Sequence, residues 1–407
     1  MMLKPSIILV SARGVGMALA FVFNLLIARQ LPQVDYGLAI SSYTLILLAS
    51  MIARNGNHIW IPRDMARMTD HGQKMSVAVR GVAQAVLYAS AIATLLIAYL
   101  ALIQSNASTV SYNTKIATGG IIVAHAICET LTSVFVGLKR PMTAGMTSFI
   151  LPNLLLVSTV MIFNIGSVSE YLALLLFSYG VVSIAILVVG YTVSRPKFDK
   201  TNSNVFSVAP ILAHLPVTSV DLFIYLNANI DILVLSSIGT AEDLALFGFV
   251  QKLGSSLTML YFLPRMISGP VFSQLFYAGD IDGVKKEFRR VTGLMCILGI
   301  IVATVILVTF PYVADFVGKY REHEGVLFLV LLGALMSVLF GPLLLLLNMT
   351  ENNHSLGKYA AGFLLMKLTL LIAAYQLLNL FWYAATGTLA LVLWNILLYY
   401  LAKARIG

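Results

Sequence analysis

Charge is scarce in this chain of 407 residues: Asp, Glu, Lys and Arg make up 11% of it, against roughly 25% in a typical soluble domain. Hydrophobic residues fill 59% of positions, and mean hydropathy is +0.91. That is more apolar surface than a water-soluble core uses, so a soluble fold is excluded. Only two cysteines occur, Cys128 and Cys296, both inside apolar runs. This excludes a disulfide framework or a thiolate metal site and reads as two inert buried thiols. There is no GxxxxGK[ST] phosphate loop, no HExxH and no GxSxG. ATP-driven pumping by this chain is therefore not expected, and no catalytic residue, metal or cofactor is assigned. The net charge of +9 could suggest a nucleic-acid partner, but Lys and Arg are scattered between apolar runs instead of forming one patch, which excludes it.

What the chain has in abundance is apolar runs of about 20 residues, the length that crosses a hydrocarbon core about 30 Å thick. The longest polar interruption, Ser194–Pro210, lies near the midpoint. Spans are predicted at Ser6–Ala28, Gly37–Ile59, Gly81–Ile103, Ile116–Val136, Ala144–Ile165 and Tyr171–Val193 before it. After it they are predicted at Ile211–Ile238, Leu244–Gly269, Val291–Val313, Val326–Asn348, Tyr359–Leu378 and Tyr383–Leu401. The expected class is an all-α polytopic membrane protein of about twelve transmembrane helices. Residues 1–193 form one six-helix bundle, 194–210 a cytoplasmic linker and 211–407 a second bundle. The first run continues too long for a signal-peptide core and is read as a retained span.

Orientation follows from Lys and Arg. With the N-terminus inside, seventeen of the 26 fall in inner segments, four (Arg29, Lys115, Lys319 and Arg321) in outer segments, and five within spans. That bias places both termini in the cytoplasm. Six spans per half make any duplication a parallel one, and Leu25, Asp35, Leu38, Leu45 and Met51 recur 208 residues later as Leu233, Asp243, Leu246, Leu253 and Met259. Each set sits in the same plan of acidic outer loop, span and basic inner loop. Ordinary alternation in a twelve-span protein gives the same plan without any duplication.

The segment LLIARQLPQVDYGLAISSYTLILLASM, with Asp-Tyr-Gly after the first span, resembles the opening of polysaccharide transporters of the O-antigen flippase type. Its second-half counterpart, IDILVLSSIGTAEDLALFGFVQKLGSSLTMLYFLPRMISGPVFSQLFYAGDIDGVKKEF, is similar to the same family. These transporters belong to the multidrug/oligosaccharidyl-lipid/polysaccharide exporter superfamily. The resemblance implies two six-helix bundles in a V around a central cavity. It also implies flipping of an undecaprenyl-pyrophosphate oligosaccharide across the bacterial inner membrane, with membrane lipid and polysaccharide-assembly proteins as partners.

Eight charges fall within the spans: Arg13, Arg54, Lys252, Arg265 and Lys367 against Glu129, Asp221 and Asp231. At about 2.5–3.5 kcal/mol each at a helix centre, they cannot all face lipid. Arg54 and Arg265, near inner span ends, can snorkel to headgroups or line a cavity; Arg13, Lys252 and Lys367 lie deeper. A cavity with more cations than acids suits a pyrophosphate, which guanidinium engages in bidentate fashion. The carboxyls are candidates for coupling to a proton or Na+, together with His125, one turn before Glu129, and His214, two turns before Asp221. For each of these a structural role stands beside the coupling role. Of the rival functions, an ion-coupled cationic-drug exporter calls for more acid than base inside, and a sugar polymerase or transferase calls for a large outer loop. The outer connections here run to only about a dozen residues.

Overall fold

The computed structural model describes residues 3–68, 70–103, 112–194, 209–258, 260, 268–349 and 353–406. Described residues are 91% helical, with no strand among them. In chain order the helices are α1 (Leu3–Gln30), α2 (Gln33–Arg54), α3 (Asn57–Arg67), α4 (His71–Ile103), α5 (Tyr112–Gly137) and α6 (Pro141–Gly145). A π-turn (Met146–Ile150) leads into α7 (Leu151–Ile162), followed by α8 (Val168–Ser194). The second half holds α9 (Ala209–Ile238), α10 (Ala241–Thr258), α11 (Gly269–Tyr277), α12 (Ile281–Val317), α13 (Glu324–Leu339), α14 (Leu343–Met349), α15 (Asn353–Leu377) and α16 (Leu380–Ile406). Ten segments among the described residues are long and apolar enough to cross a membrane. Of the other two predicted spans, one coincides with α9 and the other begins with α10 and runs on beyond the described residues. Most of the central linker also lies outside them.

Two predicted spans are not single helices. The second stops at Arg54, because Asn55 (φ 43°) and Gly56 (φ 72°) adopt left-handed backbone that a helix cannot continue through. From there α3 turns aside as an amphipathic helix, burying Trp60, Ile61 and Met65 against Val77, Ala78 and Val134. The tenth breaks at Gly341 (φ 74°) and Pro342, between α13 and α14. The π-turn has a local cause as well. Pro152 has no N–H to return to the Ser148 carbonyl, so the winding loosens just before it.

Helices α1 to α8 pack around α5, which is flanked by α2, α3, α4 and α8, while α7 and the π-turn lie along α1. In the second half α13 packs on α16, α10 and α12, and α15 on α9 and α16. The two bundles meet mainly through α2, which runs beside α10 and α9. At the start of α2 the approach is tight: a β-carbon on Gly37 would stand 2.6 Å from the Ala241 carbonyl oxygen, and one on Gly248 would stand 2.7 Å from Ile40. Close by, Lys319 donates to the carbonyls of Ala28 (3.1 Å) and Leu31 (2.6 Å), closing the C-terminal end of α1 from the second bundle. The Arg29 guanidinium stacks 4.6 Å from the Phe316 ring centre.

All these contacts lie on the side expected to face outward. Gly37→Val is predicted to wedge the bundles apart there. Ile40 is buried, so a cysteine placed there by Ile40→Cys, in a background carrying Cys128→Ala and Cys296→Ala, should be slow to react with an impermeant maleimide. It should react several-fold faster once Gly37→Val is added, and equal labelling would show that the contact does not hold the bundles together.

Candidate functional site

Helix α2 carries Tyr43, Ser50 and Arg54 at spacings of seven and four, so they share one face over about 16 Å of helix. That face meets α5, where His125 and Glu129 sit one turn apart. Arg54 Nη1 donates to Glu129 Oε2 at 3.1 Å, and Ser148 Oγ, presented by the π-turn, donates to Glu129 Oε1 at 2.7 Å. Each carboxylate oxygen thus has its own donor. His125 Nδ1 shares a hydrogen bond with Ser50 Oγ at 2.7 Å, and its ring meets that of Tyr179 edge-on at 5.0 Å. The Tyr179 hydroxyl in turn lies 3.0 Å from that of Tyr43. His125 and Glu129 therefore take different partners.

Two further cations surround this chain of contacts. The Arg13 guanidinium lies 4.7 Å from the Phe149 ring centre, next to Ser148, and its charge reaches Glu129. The backbones of α1 and the π-turn must touch for this: a β-carbon on Gly16 would collide with the Phe149 carbonyl. Lys252 comes from α10 of the other bundle and places its ammonium 5.6 Å from the Tyr43 ring centre. It has no carboxylate partner among the described residues. Arg54 Nε is buried and also lacks an acceptor among them. Three cations therefore stand around one carboxylate, Arg13 and Arg54 within the first bundle and Lys252 reaching α2 from the second.

Lys367 stands elsewhere. It is 1% exposed, and its ammonium donates to Asp231 Oδ2 at 2.7 Å and to the Asn227 carbonyl at 2.8 Å. Tyr383 of α16 donates to the Asp231 carbonyl at 2.6 Å. This cluster ties α9, α15 and α16 together inside the second bundle. Asp221 and His214 lie on α9, with side chains outside the described residues, and Arg265 lies outside them altogether. Cys128 is fully buried and its thiol points to the Thr147 carbonyl, as an inert packing thiol does.

The sequence reading missed Tyr43, Ser50, Ser148 and Tyr179. The helical stripe on α2 was the available signal for the first two; nothing local marks Ser148, which faces Glu129 only because of the π-turn. Exchanging Glu129 for Gln keeps the size and the Ser148 contact but removes the charge facing Arg54. It is expected to lower stability by about 1.5–3 kcal/mol, the range for a charged hydrogen bond. Thermal unfolding in detergent measures this, and an unchanged midpoint would mean the pair is not formed.

Residues 2–276, more than half of the chain, match the family model described as polysaccharide biosynthesis protein. The chain belongs to this family. Among solved structures it is similar to an inward-facing multidrug resistance MATE family transporter of the MOP superfamily. The TM-score is 0.71 at 13% identity, covering 98% of both chains. An outward-facing transporter of the same description gives 0.66 at 15% identity over 99% of this chain and 95% of the other. A MATE in complex with MaL6 gives 0.68 at 13% identity over 99% and 96%. No curated protein matches the chain. The family and these structures agree on a multi-pass, all-helical fold of two bundles.

Proposed function

We propose that this polysaccharide biosynthesis family member is a flippase. It moves an undecaprenyl-pyrophosphate-linked oligosaccharide, such as an O-antigen repeat unit, from the cytoplasmic to the periplasmic leaflet of a bacterial inner membrane by alternating access. The carrying observation is the surplus of cations along α1, α2 and α10, with Arg13, Arg54 and Lys252 set against Glu129 and with donors on Arg54 and Lys252 unclaimed by any carboxylate among the described residues. A pyrophosphate presents several oxygens to such donors, whereas a cationic drug would be repelled. Arg54 lies near the expected inner end of α2, and Lys252 faces Tyr43 about 16 Å further along. The headgroup can be passed from one to the other while its lipid tail stays in the bilayer. The contacts at Gly37 and Lys319, on the side expected to face outward, support reading this arrangement as the one open to the cytoplasm.

Coupling to a proton or Na+ belongs to the same proposal. Glu129 and Asp231 each face a fixed cation, so a change of charge on either would be felt by α2 or α9, the helices that join the bundles. His125, His214 and Asp221 remain candidates for that role. The test is reconstitution in liposomes with a fluorescent polyprenyl-pyrophosphate sugar, following its protection from an outside reagent. Translocation supports the proposal; export of a cationic dye with no movement of the lipid would favour a drug exporter.

A further inference from the structure

Helix α12, Ile281–Val317, is 37 residues long and spans about 55 Å, well beyond the hydrocarbon thickness of about 30 Å. One side of it, Val284, Val291, Met295, Gly299, Ala303, Phe310, Ala314 and Val317, is buried against the protein. The opposite side is a stripe of exposed apolar residues: Leu294, Ile297, Ile301, Val305, Val308 and Tyr312. At 100° per residue this stripe stays within about 40° of one line, and extending it toward the N-terminus leads to Arg290 and then Lys286. The lipid-facing surface therefore ends in Arg290, about 20° from the line of the stripe, and Lys286, about 60° from it, while Arg289 lies about 120° away, off this face. All three are exposed, and the Arg290 side chain is 81% so.

Nearby acids do not cancel this charge. Asp280 caps the helix and accepts from the Gly283 N–H at 2.8 Å. Glu287 accepts from Ser268 at 2.9 Å and touches Arg290 only at 3.4 Å. Lys286 and Arg289 have no ion-pair partner among the described residues. Asp282 lies about 100° from the line of the stripe. A lipid whose chains run down the stripe brings its headgroup to Arg290 and, within about 60° of the stripe's line, to Lys286.

We propose that Lys286 and Arg290, with the charge of Arg289 behind them, form a binding site for the phosphate headgroup of an anionic bilayer phospholipid, whose acyl chains cover the Leu294–Tyr312 stripe. The site lies on the lipid-facing side of α12, opposite the face that packs on the protein, and does not depend on the flippase reading. Each cation near a membrane surface enriches anionic lipid about five-fold at low salt, less as salt rises.

The probe is a bimane label on Leu294→Cys, in a full-length background carrying Cys128→Ala and Cys296→Ala. It is quenched by spin-labelled phosphatidylglycerol or spin-labelled phosphatidylcholine in mixed vesicles. The parent protein should be quenched several-fold more efficiently by phosphatidylglycerol, and about 0.5 M salt, where the screening length falls well below 10 Å, should remove most of that preference. The Lys286→Gln/Arg289→Gln/Arg290→Gln variant should lose it, whereas Lys139→Gln/Arg140→Gln, at a different loop, should keep it. If the triple variant fails to fold, the salt response of the parent protein decides. Equal quenching by the two lipids, a preference that ignores salt, or a preference retained in the triple variant would overturn the proposal. So would a preference shown only for polyprenyl pyrophosphate added to the vesicles, which would make the cations part of the substrate path.

Discussion

Lys367→Ala is expected to lower the stability of the protein by about 3–5 kcal/mol, the range for leaving one partner of a buried ion pair without its counter-charge. Lys367 is almost wholly enclosed, and its ammonium is the donor to Asp231 Oδ2, while Asp231 Oδ1 is already buried and without a donor among the described residues. Removing the lysine would therefore strand a carboxylate with neither oxygen satisfied. The effect should be specific to the pairing. Replacing both residues with apolar ones of similar size, Lys367→Met with Asp231→Leu, should recover much of the loss, because neither charge is then buried alone. Folded yield and thermal midpoint in detergent report this. If Lys367→Ala leaves stability intact, the lysine is free to serve an anionic ligand, and the assignment of this cluster as a tie between α9, α15 and α16 falls.

Lys252→Ala is expected to act on transport instead of folding. Its ammonium rests against the Tyr43 ring with no carboxylate facing it among the described residues, so its removal strands no buried acid there. A charged hydrogen bond to phosphate contributes about 1.5–3 kcal/mol, so apparent affinity for a pyrophosphate-bearing substrate should fall roughly ten- to a hundred-fold. Lys252→Arg should retain most activity, since a guanidinium also serves phosphate. Arg13→Ala should show a loss of the same kind. The measurement is the initial rate of lipid translocation against substrate density in liposomes, with insertion checked separately. Full activity in the Arg13→Ala/Lys252→Ala variant would remove the cationic path from the account.

Hydropathy alone located the helical passes because each apolar run is long and flanked by polar residues. It overran at Asn55–Gly56 and at Gly341–Pro342. The residues that break those helices are visible in the sequence, but a window of about twenty residues averages them away. The π-turn at Met146–Ile150 had only Pro152 as a local sign, and its consequence, Ser148 turned toward Glu129, depends on a neighbour 19 positions away. The intramembrane charges were legible one by one, since each is costly in lipid. Their partners were not: Arg54 and Glu129 are 75 positions apart, and Asp231 and Lys367 are 136 apart, so only the packing of α2 on α5 and of α9 on α15 selects them. Charge alone therefore groups Lys367 with Arg13, Arg54 and Lys252, whereas the fold sets it beside an acid in the second bundle and leaves the other three along α1, α2 and α10.

The most direct test of the central claim compares two substrates that differ only in the charged linkage: a fluorescent polyprenyl-pyrophosphate sugar and the same sugar joined to the same polyprenyl chain by a neutral ether. Both are placed in liposomes containing the protein, and the fraction protected from an outside reagent is followed over time. A cation-lined path between the bundles predicts rapid, protein-dependent movement of the pyrophosphate lipid, little movement of the neutral one, and loss of the difference in Arg13→Ala/Lys252→Ala. Equal movement of both lipids, or movement of neither, would contradict it.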